Sequence, residues 1–374
     1  MNLKKIPLSL YIHLPWCEKK CPYCDFNIST NKNDIDEKKL IESIIRDIES
    51  SYEKINGRRF ISIYFGGGTP SLVKAKMIEK IISHLENKNL IQNNAEISFE
   101  FNPNEINNKY LDSICSIGIN RLSIGIQSFD NKTLNSLERN HDENKSIEAL
   151  EIVSKYHHVK SSIDLIYGVM DQSIDSFVED LEKFCSYDLI HLSLYQLTIE
   201  PNTIFYKKEL RIPSEEIIES MELSAKRILN SNGYSQYEVS SWSKKGFEGI
   251  HNMNYWTYGD YLGVGPGAHS KITKKNGIYR SLKLKKLSSY IENPIKDNGG
   301  LVPPEDIDID IAMNFLRIKK GVSFEKIQQN CLFVSDQFQN KLYDAIDRGL
   351  ISSDRFKATK KGFKFLNDTV NLFS

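Results

Sequence analysis

Apolar positions along the first two thirds of the chain follow two alternating periods. Short runs rich in β-branched and aromatic residues cover residues 8–13, 60–65, 96–101, 121–126, 161–166 and 190–197, and they predict strands. Between them the spacing lengthens to that of a helix. Leu40, Ile41, Ile44, Ile45 and Ile48 make one apolar stripe. Ile78, Ile81, Ile82 and Leu85 make a second, and Ile147, Leu150, Ile152 and Val153 a third. A further helix is predicted over residues 215–229, stopped by Asn232 and Gly233.

Repeated strand–helix units imply parallel strands joined by right-handed crossovers. Six of them close only part of a barrel, so the expected class is α/β, with a partial (β/α)6 barrel over residues 1–233. Such sheets carry their chemistry at the carboxyl ends of the strands. The unusual residues fall there. The first strand runs into a cysteine-rich loop and the second into Gly66-Gly67-Gly68-Thr69-Pro70. The third ends at Glu100, the fourth at Gln127 and the sixth at Gln196, while the fifth carries Asp164. Residues 234–300 lose this regularity and are rich in Gly, Tyr and Trp, including HNMNYWTYGDYLGVGPGAHS from His251. Residues 301–374 read as helix, helix, a small β-wing and a last helix, a winged-helix-like α+β region.

Composition narrows the function. Lys+Arg and Asp+Glu both number 49, for a net charge of zero, which disfavours a nucleic-acid binder; the tail reads as a structural or docking module. Six cysteines in 374 residues are too few for a disulfide framework. Cys115, Cys185 and Cys331 stand among apolar neighbours and read as core thiols. Cys17, Cys21 and Cys24 are clustered, which indicates a metal or redox site in a reducing compartment. Lys4 and Lys5 precede an apolar run, but that run lacks a cleavage site and leads straight to the cysteines. No stretch is long enough to span a bilayer, and a cytoplasmic location is expected.

The cysteines lie in WCEKKCPYCDF with spacing C-x3-C-x2-C. Structural zinc wants four ligands, and only His13, inside the first strand, could complete a Cys3His set. A 4Fe-4S cluster held by three thiolates keeps one iron open for an exchangeable ligand. The amino and carboxylate groups of S-adenosylmethionine suit that position.

This spacing at the end of a first strand, with an aromatic residue before the third cysteine, resembles the radical S-adenosylmethionine superfamily. YIHLPWCEKKCPYCDF, YFGGGTPS, SFEFNP, RLSIGIQSF, IDLIYG and YLGVGPGAHS resemble the branch that holds the oxygen-independent coproporphyrinogen III oxidases and the HemW-type heme chaperones, over nearly the whole chain. The resemblance implies cluster ligands Cys17, Cys21 and Cys24. It implies S-adenosylmethionine contacts at Tyr11, Tyr23, Gly67, Gly68, Thr69, Glu100, Gln127, Arg139 and Asp164. HNxxYW is a pattern of the heme-chaperone branch, which implies heme contacts at His251, Asn252, Tyr255 and Trp256, in a loop beyond the barrel, with His269 as an alternative ligand. The oxidases carry a cysteine where this chain has Phe26. The expected function is therefore a heme chaperone that passes heme to acceptor proteins such as respiratory enzymes, served by an electron donor for the cluster. The alternative is coproporphyrinogen III oxidase; a DNA-binding regulator is the third reading. A dimer and a second S-adenosylmethionine molecule are compatible with the family.

Overall fold

The computed structural model describes residues 3–208 and 210–374. Its strands are β1 (Leu8–Leu14), β2 (Phe60–Gly67), β3 (Ile91–Phe101), β4 (Arg121–Gln127), β5 (Lys160–Tyr167) and β6 (His191–Gln196). These are followed by β7 (Ser235–Gln236), β8 (Ser241–Ser243), β9 (Asp260–Val264), β10 (His269–Lys274), β11 (Gly277–Lys283) and β12 (Asp297–Leu301). All twelve belong to one sheet in the order β12-β11-β10-β9-β1-β2-β3-β4-β5-β6-β8-β7. Neighbours from β1 to β6 are parallel, as the strand–helix repeat predicts. The end strands β12 and β7 are not paired with each other, so the sheet curves without closing into a barrel.

The helices that link the parallel strands pack on the outer face. Helix Asp34–Ser50 starts at Asn33, whose side chain accepts from the Asp36 N–H at 2.8 Å. Its Leu40, Ile41, Ile44 and Ile48 are buried against the sheet. Helix Ala75–Asn87 buries all four members of its predicted stripe. Outward-facing Leu10, Ile12, Ile63, Phe65, Phe99, Leu122, Ile163 and Leu192 complete that core.

The inner face is different. Residues paired across it include Ser9 and Ser62, Tyr11 and Tyr64, Glu100 and Ser123, Ser162 and His191, and Asp164 and Ser193. Every one is polar or aromatic. Parallel strands covered on both sides normally read as continuous apolar runs. Here one face of each strand is given over to a polar lumen.

Two regions depart from the sequence expectation. Residues 234–300 are regular: they supply β7–β11 and most of β12, and they extend both edges of the sheet. These strands are mostly antiparallel and have two to seven residues, with no amphipathic helical stripe between them to set them off in the sequence. The HNMNYW segment is a helix, Ile250–Trp256, rather than a loop. It has seven residues, too few for a stripe to register. β3 also begins earlier than its alternation indicates, because Gln92, Asn93 and Asn94 are exposed.

The tail contains helices Pro304–Phe315, Phe324–Asn330 and Phe338–Asp347, then antiparallel bridges Val322–Phe356 and Ile351–Ala358, then helices Lys360–Lys364 and Leu366–Asn371. Its core is continuous with Tyr258 and Ile278 of the preceding region. No helix among the described residues is long and apolar enough to cross a membrane.

Candidate functional site

At the carboxyl ends of β1–β6 the lumen opens into a cleft of about 340 Å³. All three clustered cysteines line it, together with Tyr23, Phe26, Gly67, Gly68, Thr69, Glu100, Gln127, Arg139 and Asp164. The predicted rim residues therefore meet, apart from Tyr11, Gly66, Pro70 and Gln196. Tyr11 stands behind the wall, with its hydroxyl 3.1 Å from His13 Nδ1. At the end of β6 it is Tyr195, one residue earlier than Gln196, that faces the cleft.

The cysteine loop is pinned at its base. Cys17 N–H donates to Ser29 O at 3.0 Å, Ser29 N–H to Pro15 O at 2.7 Å, and Cys24 N–H to Cys21 O at 3.1 Å. The glycine turn lies directly beneath, with Gly68 N–H donating to Leu14 O and Thr69 N–H to Trp16 O. Gly67 has φ +114°, and a Cβ there would come within 2.6 Å of the His13 ring; one at Gly68 would lie 2.5 Å from Trp16 O. Only glycine permits this approach of the turn to the loop.

His13 is not a metal ligand in this arrangement. Its Nε2 lies 2.8 Å from the Asn27 carbonyl, which can only accept, so Nε2 carries the proton and Nδ1 accepts from Tyr11. Both nitrogens are engaged, and a Cys3His zinc site lacks its fourth member. Among the described residues no three His, Cys, Asp or Glu side chains gather closely enough to hold one metal ion. A cluster that presents a separate iron to each thiolate needs wider spacing.

Hydrogen bonds tie the thiols to the wall. Thr69 Oγ1 donates to Cys17 Sγ at 3.6 Å, and Asn102 Nδ2 donates to Thr69 Oγ1 at 3.0 Å. Arg139 Nη1 donates to Cys21 Sγ at 3.4 Å and to Tyr23 Oη at 3.3 Å. Its Nη2 donates to Asn102 Oδ1 at 2.8 Å and to Gly125 O at 3.2 Å. Burial pushes the Cys17 thiol up to about 11, partly offset by the Thr69 bond, and raises Cys24 as well. Thiols so placed are protonated until a metal takes them as thiolates.

On the opposite wall stand two carboxyls. Burial pushes Glu100 up to about 7, with a lowering hydrogen bond from Tyr64 and a raising contribution from Asp164. Burial pushes Asp164 up to about 6, against lowering bonds from Ser193 and Ser123. Tyr64 Oη donates to Glu100 Oε1 at 2.7 Å, and Ser123 Oγ donates to Asp164 Oδ2 at 2.9 Å. A cationic ligand group between them would favour both ionised forms. Three open thiols, a glycine cradle and this carboxyl pair fit a cluster with S-adenosylmethionine bound beside it. The cysteines would hold the cluster, and the turn and the carboxyls would hold the ligand. Such a pair supplies one-electron chemistry when bound.

A Radical SAM superfamily model matches residues 11–183. The chain is 38% identical over 370 residues to the heme chaperone HemW of Buchnera aphidicola subsp. Schizaphis graminum, covering 98% of each. It is 32% identical over 374 residues to the heme chaperone HemW of Escherichia coli, covering 99% of each. The chain belongs to the HemW family of radical SAM proteins. Among solved structures, coproporphyrinogen III oxidase HemN of Escherichia coli superposes with a TM-score of 0.81 at 23% identity, covering 99% of this chain and 90% of that one. That likeness establishes a shared fold.

The motif residues expected to contact heme lie away from the cleft. His251 is 3% exposed and lines a small chamber of about 40 Å³ toward the amino ends of the strands. Its Nδ1 lies 3.0 Å from Ser62 Oγ, its Nε2 has no hydrogen-bond partner among the described residues, and burial pushes its pKa down to about 3. Asn252 lines the same chamber. Tyr255 packs on Tyr261 with ring centroids 4.4 Å apart, and Trp256 carries Arg317 4.3 Å above its ring. His269 is exposed at the start of β10. Sequence reasoning missed Tyr64, Asn102, Ser123 and Tyr195. Tyr64, Asn102 and Tyr195 lie one or two positions from a residue it did select, and Ser123 lies four from Gln127 and pairs with Glu100 across the sheet.

Proposed function

We propose that this HemW-family chain is a heme chaperone: it holds a 4Fe-4S cluster on Cys17, Cys21 and Cys24, binds S-adenosylmethionine against Gly67, Gly68, Thr69, Glu100 and Asp164, and delivers heme to acceptor proteins such as respiratory enzymes. End-to-end similarity to proteins named heme chaperones, at 32–38% identity, carries the reading. The cleft supports it. Its mouth bears Phe26, 58% exposed, where the oxidases carry a cysteine, and Phe26 is joined there by Lys20. The neighbouring segment, whose Phe205 N–H donates to Pro22 O at 3.0 Å, presents exposed Ile204 and Tyr206. An apolar rim with a lysine suits a porphyrin plane and its propionates. Ligation by His251 would require helix Ile250–Trp256 to leave its seat, because the imidazole is enclosed.

The test uses anaerobically reconstituted protein loaded with heme and mixed with an apo heme protein. Appearance of the acceptor's holo spectrum, with no protoporphyrinogen formed from coproporphyrinogen III, is the expected result. Turnover of coproporphyrinogen III without heme transfer would establish the oxidase reading instead.

A further inference from the structure

The small chamber and the cleft share three walls: Tyr64, Ser123 and Tyr195. Tyr64 is the decisive one. On the cleft side its hydroxyl donates to Glu100 at 2.7 Å. On the chamber side its ring stacks on the His251 imidazole, with centroids 4.9 Å apart and planes at 30°. His251 is itself fixed from three directions. Its Nδ1 meets Ser62 Oγ, its backbone N–H donates to Glu96 Oε1 at 3.0 Å, and Tyr255 meets the ring edge-on at 5.0 Å. Ser62 is anchored in turn to Ser9 Oγ at 2.7 Å. An enclosed, neutral imidazole with a fixed plane is well suited to set the angle of the ring stacked on it.

We propose that His251 is a positioning residue for the S-adenosylmethionine side of the site: it holds the Tyr64 ring so that the tyrosine hydroxyl orients the Glu100 carboxylate toward the ligand. Tyr64 thereby becomes part of the binding wall, and the heme-chaperone motif gains a task inside the lumen. This rests on the reading that S-adenosylmethionine binds at Glu100.

The test measures S-adenosylmethionine binding to reconstituted protein by equilibrium dialysis. His251→Ala and His251→Gln, which remove the ring, should weaken binding about three- to tenfold, the usual worth of an aromatic pair. His251→Phe keeps the ring and gives up only the Ser62 contact, which Ser9 already satisfies for the serine. It should stay within about twofold of wild type. Tyr64→Phe should weaken binding as well, and adding His251→Ala to it should cost little more, because the two act in series. Thermal melts of all variants separate this from a fold defect, since a destabilised lumen would not be rescued selectively by Phe. Equal affinity in wild type, His251→Ala and Tyr64→Phe would overturn the proposal while leaving the binding reading intact. A wild-type protein with a full cluster and no affinity for the ligand would remove the reading and the proposal together. A His251→Ala variant that loses heme and keeps wild-type affinity for S-adenosylmethionine would make the histidine a heme ligand and overturn the proposal.

Discussion

Glu100 and Asp164 face one another's field from β3 and β5, with Tyr64 and the Gly67 N–H on the first and Ser123, Ser193 and Arg121 around the second. Burial raises Glu100 from 4.5 to about 7 and Asp164 from 3.8 to about 6. The sign follows directly. A carboxyl with a raised folded-state pKa contributes stability that is present below its unfolded pKa and is lost as the pH climbs through the folded value. Glu100→Gln should therefore stabilise the ligand-free protein at pH 8, by on the order of 3 kcal/mol from a shift of 4.5 to about 7, and change its melting temperature little at pH 4.5. A melt series across that interval checks it; no pH dependence in the difference would count against a buried, protonated Glu100. Binding a cationic ligand reverses the preference. S-adenosylmethionine affinity should rise between pH 5.5 and 8, with protons released on binding, measured by calorimetry in buffers of different ionisation enthalpy. Replacing Cys17, Cys21 and Cys24 together by Ala should abolish iron and sulfide uptake and the associated visible absorption. The cysteines were legible because their spacing restricts the chemistry, and the glycines because they follow a strand at the same rim. Tyr64 and Asn102 were not, because their roles arise from register between strands distant in sequence.

Helix Ile250–Trp256 shows how an element too short to declare itself is held. Seven residues have little intrinsic helicity, and Gly249 at its start offers no side-chain cap. Glu96 on β3 supplies the cap from across the lumen. Its carboxylate accepts from Ile250 N–H at 3.1 Å and His251 N–H at 3.0 Å, and it pairs with buried Arg121 at 3.4 Å. At the far end Asn254 Nδ2 donates to Ser9 Oγ and Asp260 O, both at 2.8 Å. Glu96→Ala would leave two backbone donors without their acceptor and take the carboxylate from buried Arg121, which keeps its contacts to Phe247 O. Breaking a buried pair from one side costs about 3–5 kcal/mol, so this variant should show that loss in denaturant unfolding. Glu96→Gln, which keeps an acceptor, should lose less. Equal stability of Glu96→Ala and wild type would mean that solvent reaches this end of the lumen. The six parallel strands were legible from their apolar runs. Their polar inward alternation, Ser-Tyr-His in β1 and Glu-Ser-Glu in β3, was also present in the sequence, and it is what separates a lumen from a packed core. The antiparallel extension was not legible, because its strands are short and follow one another without the helical stripes that frame β1 to β6.

At the scale of the whole molecule, the tail is joined to the lumen by shared core and by polar contacts that reach the chamber. Tyr258 and Ile278 are buried with Ile311, Phe315, Phe338, Phe356 and Phe373. Arg317 lies over Trp256 and pairs with Glu238 Oε2 at 3.2 Å, and Lys319 N–H donates to Tyr237 O at 2.9 Å. Tyr237 Oη in turn lies 2.8 Å from His191 Nε2, on the chamber wall. A region of about seventy residues is marginal by itself, and this one completes its core with side chains from outside it. Expressed alone, residues 302–374 should keep helical far-ultraviolet dichroism and lack both a cooperative melt and fixed aromatic dichroism. A chain ended after Leu301 should bind a hydrophobic dye, because Tyr258, Ile278 and Trp256 would face water. Arg317→Ala tests the same junction without truncation. It removes a stacked guanidinium and leaves buried Glu238 without its partner. A stability loss of ~1–3 kcal/mol is expected, with faster proteolysis at residues 302–303. If the isolated tail melts cooperatively and Arg317→Ala is silent, the tail is an autonomous domain and its contacts to the chamber wall are incidental to the fold.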